Sequence, residues 1–200
     1  MEQKQLNTKQ CAGFTLIELL TVLAIGGILV AMAYPTFRET LERNRGIADV
    51  NEISSLIAYM RSEASKNQIG TVTFCVATDI TADSVECSTN STALNGGWAV
   101  FSDLGGDGLD AKDPLLKVGK SSSSNFTLAA SGFQNNNLIT FDSTGSPGSA
   151  GTITLCNGKG AVEAKAIIVS VAGLSRHAIS DSVDGVVLDH NGDEVVCPTS

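Results

Sequence analysis

Four carboxylates, Asp103, Asp107, Asp110 and Asp113, fall within the eleven-residue run Asp103-Leu-Gly-Gly-Asp-Gly-Leu-Asp-Ala-Lys-Asp113. Hard oxygen ligands at that spacing could hold Ca²⁺. The run departs from an EF-hand loop, because Gly105 stands where a ligand belongs and no Glu closes it. A solvated acidic turn is the plainer reading, and no metal or other cofactor is expected. Asp189-His-Asn-Gly-Asp-Glu194 is a second acidic turn, in which Asn191-Gly192 is a hairpin signal. His177 and His190 have no motif context, and no serine sits in a G-x-S-x-G elbow. Trp98 follows Gly96-Gly97 in a strand-like run, where core packing accounts for it. Enzymatic chemistry is not expected.

A carboxylate at Glu18 calls for a different explanation. It lies inside the one long apolar block, Phe14-Thr-Leu-Ile-Glu-Leu-Leu-Thr-Val-Leu-Ala-Ile-Gly-Gly-Ile-Leu-Val-Ala-Met-Ala-Tyr34, which is 21 residues long. A helix of that length spans about 30 Å, the hydrocarbon thickness of a bilayer. An ordinary secretory signal has a shorter apolar region followed by a small-x-small site, and here Ala31-Met-Ala33 at the far end is the only such site. Lys4 and Lys9 precede the block, so the N-terminus is expected to stay in the cytoplasm. An ionised carboxylate in a membrane segment is costly and usually meets a partner; otherwise it reaches the headgroups from the helix start.

The five cysteines are Cys11, Cys75, Cys87, Cys156 and Cys197. Cys11 precedes the apolar block; the other four follow it, on the side expected to be non-cytoplasmic. An even set in an oxidising compartment reads as two disulfides, with three pairings open. The expected pairing is Cys75 with Cys87, closing a short polar insertion at 78–86, and Cys156 with Cys197, tying the tail to a central strand. Zinc is disfavoured by the scatter and by the absence of CxxC.

The elements that position these residues follow from periodicity. Beyond Pro35 the helix is expected to continue, because Val50, Ile53, Ile57, Met60 and Ala64 recur at three- and four-residue steps. Pro35 lacks an N–H and crowds the Ala31 carbonyl, so a kink or local melting is expected there. Gly26-Gly27 is a second weak point. Asn67-Gln-Ile-Gly70 reads as the exit. After Gly70 the period changes to two. Strands are expected at 71–77, 98–101, 115–118, 126–128, 138–141, 152–156, 166–171 and 185–188, separated by Gly, Ser, Asn and Asp clusters. Ser121–Ser124 and Ser143–Ser149 read as loops.

Gly13-Phe14-Thr15-Leu16-Ile17-Glu18 resembles the cleavage and methylation motif of type IV prepilins and type II secretion pseudopilins. The resemblance implies cutting after Gly13 by a membrane aspartic peptidase and methylation of the Phe14 amine. It also implies that Glu18 pairs with a neighbouring subunit's N-terminal amine, and that Pro35 stands where such helices carry a proline. The physics agrees, since an amine and a carboxylate attract strongly in an apolar phase. Three further stretches resemble the GspH/FimT family of minor pilins, in that family's order: Tyr59–Asn67 with Val72–Cys75, Gly96–Asp103 with Gly106–Asp110 and Pro114–Leu116, and Ile139–Gly145 with Ile153–Cys156 and Ile167–Gly173.

The implied architecture is an α+β pilin fold. Residues 1–13 form a cleaved leader, 14–34 a transmembrane and assembly helix, 35–69 its amphipathic continuation, and 70–200 a β-rich domain. The implied role is structural: a minor pilin that initiates or caps a type IV pilus. It would contact other pilin subunits through the helix and meet the prepilin peptidase, held in the inner membrane with the domain in the periplasm until assembly. A minor pseudopilin of a type II secretion system is the alternative in the same class, although pseudopilins more often lack cysteines. A DNA-uptake receptor is the alternative in another. Relatives of that kind carry paired arginines after a glycine, whereas here Gly173-Leu-Ser-Arg-His177 leaves only Arg176. Formal net charge is −8, and loss of Glu2, Lys4 and Lys9 with the leader leaves 11 basic and 20 acidic residues. A field of that sign opposes phosphate backbones, and DNA is not expected as a partner unless Arg61, Lys66, Lys165 and Arg176 converge.

Overall fold

A single helix, α1, runs from Leu16 to Lys66, and the residues on its two halves have opposite fates. The computed structural model describes residues 14–66, 70–80, 85–87, 97–120, 127–134, 138–157, 160–181 and 184–197. Its contacts divide the chain into two units, Met1–Leu41 and Glu42–Ser200.

In the first unit Thr15 opens the helix as its N-cap. Its hydroxyl accepts from the Glu18 N–H at 3.3 Å and its carbonyl from the Leu19 N–H at 3.2 Å. One 18-residue window reaches a mean hydropathy of 2.4, so the helix is long and apolar enough to cross a membrane. The large apolar side chains from Phe14 to Phe37 are exposed. The helical backbone runs unbroken through Pro35, so the expected local melting does not occur. The proline still removes one donor, and the Thr36 hydroxyl donates to the Ala33 carbonyl at 2.9 Å beside it.

In the second unit the helix residues buried by 3.6-residue periodicity are Val50, Ile53, Leu56, Ile57, Met60 and Ala64. They pack on two antiparallel sheets. The first contains β1 (Thr71–Ile80), β2 (Val85–Cys87), β3 (Gly97–Asp103), β4 (Leu115–Gly119) and β6 (Leu138–Phe141). β3 lies along one edge of β1, while β6 and β2 share the other edge, pairing at 72–75 and 77–80. The second sheet has the order β5-β7-β8-β9, formed by Thr127–Ser131, Gly151–Cys156, Lys165–Val169 and Ser175–His177. The core joins the helix stripe to Val72, Phe74, Val100, Ile139 and Phe141 of the first sheet and to Ile153, Leu155, Ile167 and Val169 of the second. On the opposite face of the first sheet the buried Thr73 hydroxyl lies 3.1 Å from that of Thr140, across β1 and β6.

Three further expectations from the sequence need correction. Residues 185–188 do not form a strand. Val187 and Leu188 make isolated bridges to Ser180 and Glu194, and the Val187 N–H donates to the Ala161 carbonyl, so its bonds are divided among separate segments. The insertion expected at 78–86 is partly strand, because β1 runs on to Ile80 and pairs with β2. The run expected to reach Val171 leaves its strand at Val169, where Ser170–Gly173 turns the chain. β2 and β9 were not legible as strands; each is three residues long and contains polar or charged side chains. Phe126, Ser121–Ser124 and the helix exit at 67–69 lie outside the described residues.

Candidate functional site

Two places carry the candidate residues. At the start of α1, Phe14 is exposed and Glu18 occupies the first turn, where the helix dipole favours a carboxylate. Thr15 and Glu18 stand three apart, the spacing of a capping box, so the backbone around Glu18 is ordered locally. The Thr21 hydroxyl donates to the Glu18 carbonyl at 2.9 Å. The Glu18 side chain is exposed, with the apolar side chains of Leu16, Ile17, Leu19 and Leu20 exposed around it. Gly13 and the segment before it lie outside the described residues.

The second place is the domain. Cys75 is joined to Cys87 with a Cα–Cα distance of 5.6 Å, and Cys156 to Cys197 at 5.8 Å. Each bridge has its own small apolar cluster. Cys75 lies with Ala99 and Phe101, and Cys156 with Ala164, Ala166, Val187 and Val195. The second bridge thereby fastens the tail, whose described residues form no regular strand, to the end of β7.

Three of the four aspartates of the 103–113 loop accept hydrogen bonds from the loop's own backbone. Asp103 is 4% exposed and accepts from the Gly106 and Gly108 N–H groups. Asp113 accepts from Leu104 and Asp110 N–H, both at 3.0 Å, and Asp110 accepts from the Lys112 N–H. Asp107 is left exposed. Among the described residues no three His, Cys, Asp or Glu side chains are grouped to hold a metal ion. Asp189 does the same for the second acidic turn, accepting from the Asn191 and Asp193 N–H groups. His190 is packed, its Nδ1 3.0 Å from the Thr152 hydroxyl, while His177 is exposed on β9.

A site that sequence reasoning passed over lies after β6. The Asp142 carboxyl is held below its ordinary value of 3.8, first by the Thr144 hydroxyl and then by the Ser146, Thr144 and Gly145 N–H groups, with burial opposing. Asp142-Ser-Thr-Gly145 is an Asx-turn signal that could have disclosed it. This turn seats Gly145, at φ +76°, against the Arg61 side chain and against Gly173 at φ +73°. A β-carbon at Gly173 would collide with the Gly145 carbonyl oxygen, so only glycine fits.

The basic residues do not gather. Arg61 lies beside Gly145 and Gly173, and Lys66 pairs with Glu63 at 3.3 Å. Lys165 borders a separate groove of about 190 Å³ with Ile47, Val50 and His177. Arg176 pairs in register with Ile168, so it faces away from the sheet side on which Ile167 and Val169 meet the helix.

A membrane-length apolar helix, continued by an amphipathic stripe under antiparallel sheets with two disulfides, defines a pilin-type subunit. Residues 49–173 match the family described as "Type II transport protein GspH", and residues 8–34 match the prokaryotic N-terminal methylation motif. The chain belongs to the GspH family, the class of minor pilins and pseudopilins, whose fold and members are structural subunits. A fimbrial protein of Moraxella nonliquefaciens is 38% identical over 77 residues, which are 38% of this chain and 47% of that protein; the chain thus spans about half the length of that curated relative. Two crystal structures of the type IV minor pilin FimU of Pseudomonas aeruginosa are also similar. One is 21% identical, covering 68% of this chain and 90% of that one at a TM-score of 0.49. The other is 19% identical, covering 65% and 90% at 0.46.

Proposed function

We propose that this chain is a minor pilin that assembles, helix first, into a type IV pilus and initiates or caps it. The observation that carries the reading is the pairing, in one chain, of the N-terminal methylation motif at 8–34 with the GspH region at 49–173. The prepilin peptidase cuts after Gly13 and the Phe14 amine is methylated. Before assembly the apolar helix holds the protein in the inner membrane with the domain in the periplasm. The exposed apolar surface from Phe14 to Phe37 then passes from lipid to neighbouring helices, and Glu18 pairs with the amine of the next subunit. Pro35 and Gly26-Gly27 allow the helix to adjust its path as it leaves the bilayer. The match of residues 49–173 to a type II transport protein family favours a second reading, a minor pseudopilin of a type II secretion system with the same processing and the same pair. A DNA-receptor role finds no support in Leu174 or in the dispersed basic residues.

Intact mass of the protein taken from filaments tests the processing. The mass expected lacks Met1–Gly13 and carries one methyl group; a full-length chain, or a cut near Ala33, overturns it. Glu18→Ala is expected to abolish incorporation while leaving membrane insertion and the domain's unfolding midpoint unchanged. Normal incorporation of that variant would refute the intersubunit pair.

A further inference from the structure

A groove of about 420 Å³ runs between the last turns of α1 and the β8–β9 turn, bordered by Arg61, Ser62, Ser65, Gly173, Leu174 and Ser175. We infer that it receives a carboxylate-bearing segment of a neighbouring subunit, with Arg61 as the anchor; the inference rests on the assembly reading above and names the chemistry of one partner surface.

Arg61 is prepared for such a contact. Its Cγ lies against Gly145 and its Cδ against Gly173, and both glycines hold positive φ in turns that close on each other. The stem is therefore ordered before any partner arrives, which lowers the entropy lost on binding. Its guanidinium makes no hydrogen bond or ion pair with a described residue, whereas Lys66, five residues along the helix, is held by Glu63. A half-buried arginine with a fixed stem and a free fork matches a carboxylate with two parallel hydrogen bonds, and arginine is enriched among the residues that dominate interfaces.

The surroundings select a polypeptide over a polyphosphate. Leu174 on the groove wall is 58% exposed, and Val171 in the same turn is 55% exposed. Covering them with a partner's apolar side chains removes that area from water, whereas a phosphate backbone would leave it wet. The net charge of −8 repels a polyanion at long range, but a single carboxylate needs only the local cation. Arg176, which follows Ser175 of the groove wall, faces the opposite side of its sheet and supplies no second phosphate clamp.

The test uses the full chain in assembled filaments, with a photo-crosslinking residue replacing Ser62 and, separately, Leu23 of the apolar helix. The Ser62 probe is expected to join a neighbouring subunit at a peptide containing Asp or Glu. Arg61→Gln should lower that yield about fivefold, the scale of one exposed ion pair. Leu174→Asp, which offers Arg61 a competing carboxylate without disturbing its stem, should lower it as well. The inference is overturned if Leu23 crosslinks while Ser62 does not. It is equally overturned if Ser62 joins nucleic acid or a segment without carboxylates, or if neither variant changes the yield. Silence of both probes in a chain present in the membrane overturns the assembly reading and this inference together.

Discussion

The two halves of α1 obey the same backbone rules and solve opposite problems. From Phe14 to Phe37 every large apolar side chain is exposed, while from Val50 to Ala64 the apolar stripe is buried under two sheets. The first half satisfies its backbone internally and leaves its side chains for a lipid or helical environment. The second half places polar residues such as Glu52, Ser55 and Ser62 on its open face and needs the domain to cover the other. Composition around the helix, uniform in one half and striped in the other, therefore tells which segment requires an outside partner and which is completed within the chain.

Substituting one large apolar residue in each half is the most direct way to break this contrast. Ile57 is fully buried, so Ile57→Ala should cost the domain about 2–5 kcal/mol. Leu23→Ala should leave domain stability within about 0.5 kcal/mol. Urea unfolding followed by the fluorescence of Trp98, which is stacked on Phe74, measures both in detergent. Equal effects would show that the halves are not energetically separate.

The disulfides sharpen the contrast, since both lie in the self-completed part. Sequence separations of 12 and 41 imply, by loop-closure entropy, about 3 kcal/mol for Cys75–Cys87 and about 4 kcal/mol for Cys156–Cys197. Paired Cys→Ser variants should rank in that order in chemical denaturation, and non-reducing peptide mapping should recover these two links. A reversed ranking would mean that folded-state contacts outweigh chain entropy.

The smallest expected effect is electrostatic. Asp142 has its folded pKa lowered, so its contribution is present above the unfolded value and is lost as pH falls through the folded one. Stability relative to an Asp142→Ala variant should therefore be constant near neutrality and shrink only below about pH 4, measured as the difference in unfolding midpoint. Because the carboxylate is exposed, the shift should be slight. A difference that grew in acid would contradict the hydrogen-bonding account of the Thr144 turn.

Much of this protein was legible residue by residue, where the signal is local. The N-terminal methylation motif at 8–34 is a linear string. The stripe at Val50, Ile53, Ile57, Met60 and Ala64 needs only the helical period, and most strands of both sheets announced themselves by alternation bounded with turn residues. Short range also explains the misses. Alternation misleads at 185–188 because a β-branched run becomes a strand only if one partner strand offers a matching edge, and here Val187 is shared among separate segments. β2 exists because β1 continues to Ile80 and Cys87 is tied beside it, which no alternation in Val85-Glu-Cys87 could reveal.

The sequence by itself determined the apolar span, the N-terminal methylation motif, the amphipathic half of the helix and the even cysteine set, because each depends on neighbours a few residues away or on a simple count. Tertiary structure alone decided that Asp103 is buried within its own loop, that Arg176 and Arg61 lie on different sides, and that Gly145 and Gly173 close on the Arg61 stem. Most of those outcomes require chain segments separated by tens of residues to meet in space, and the packing of a common core, rather than any local preference, fixes which of them meet.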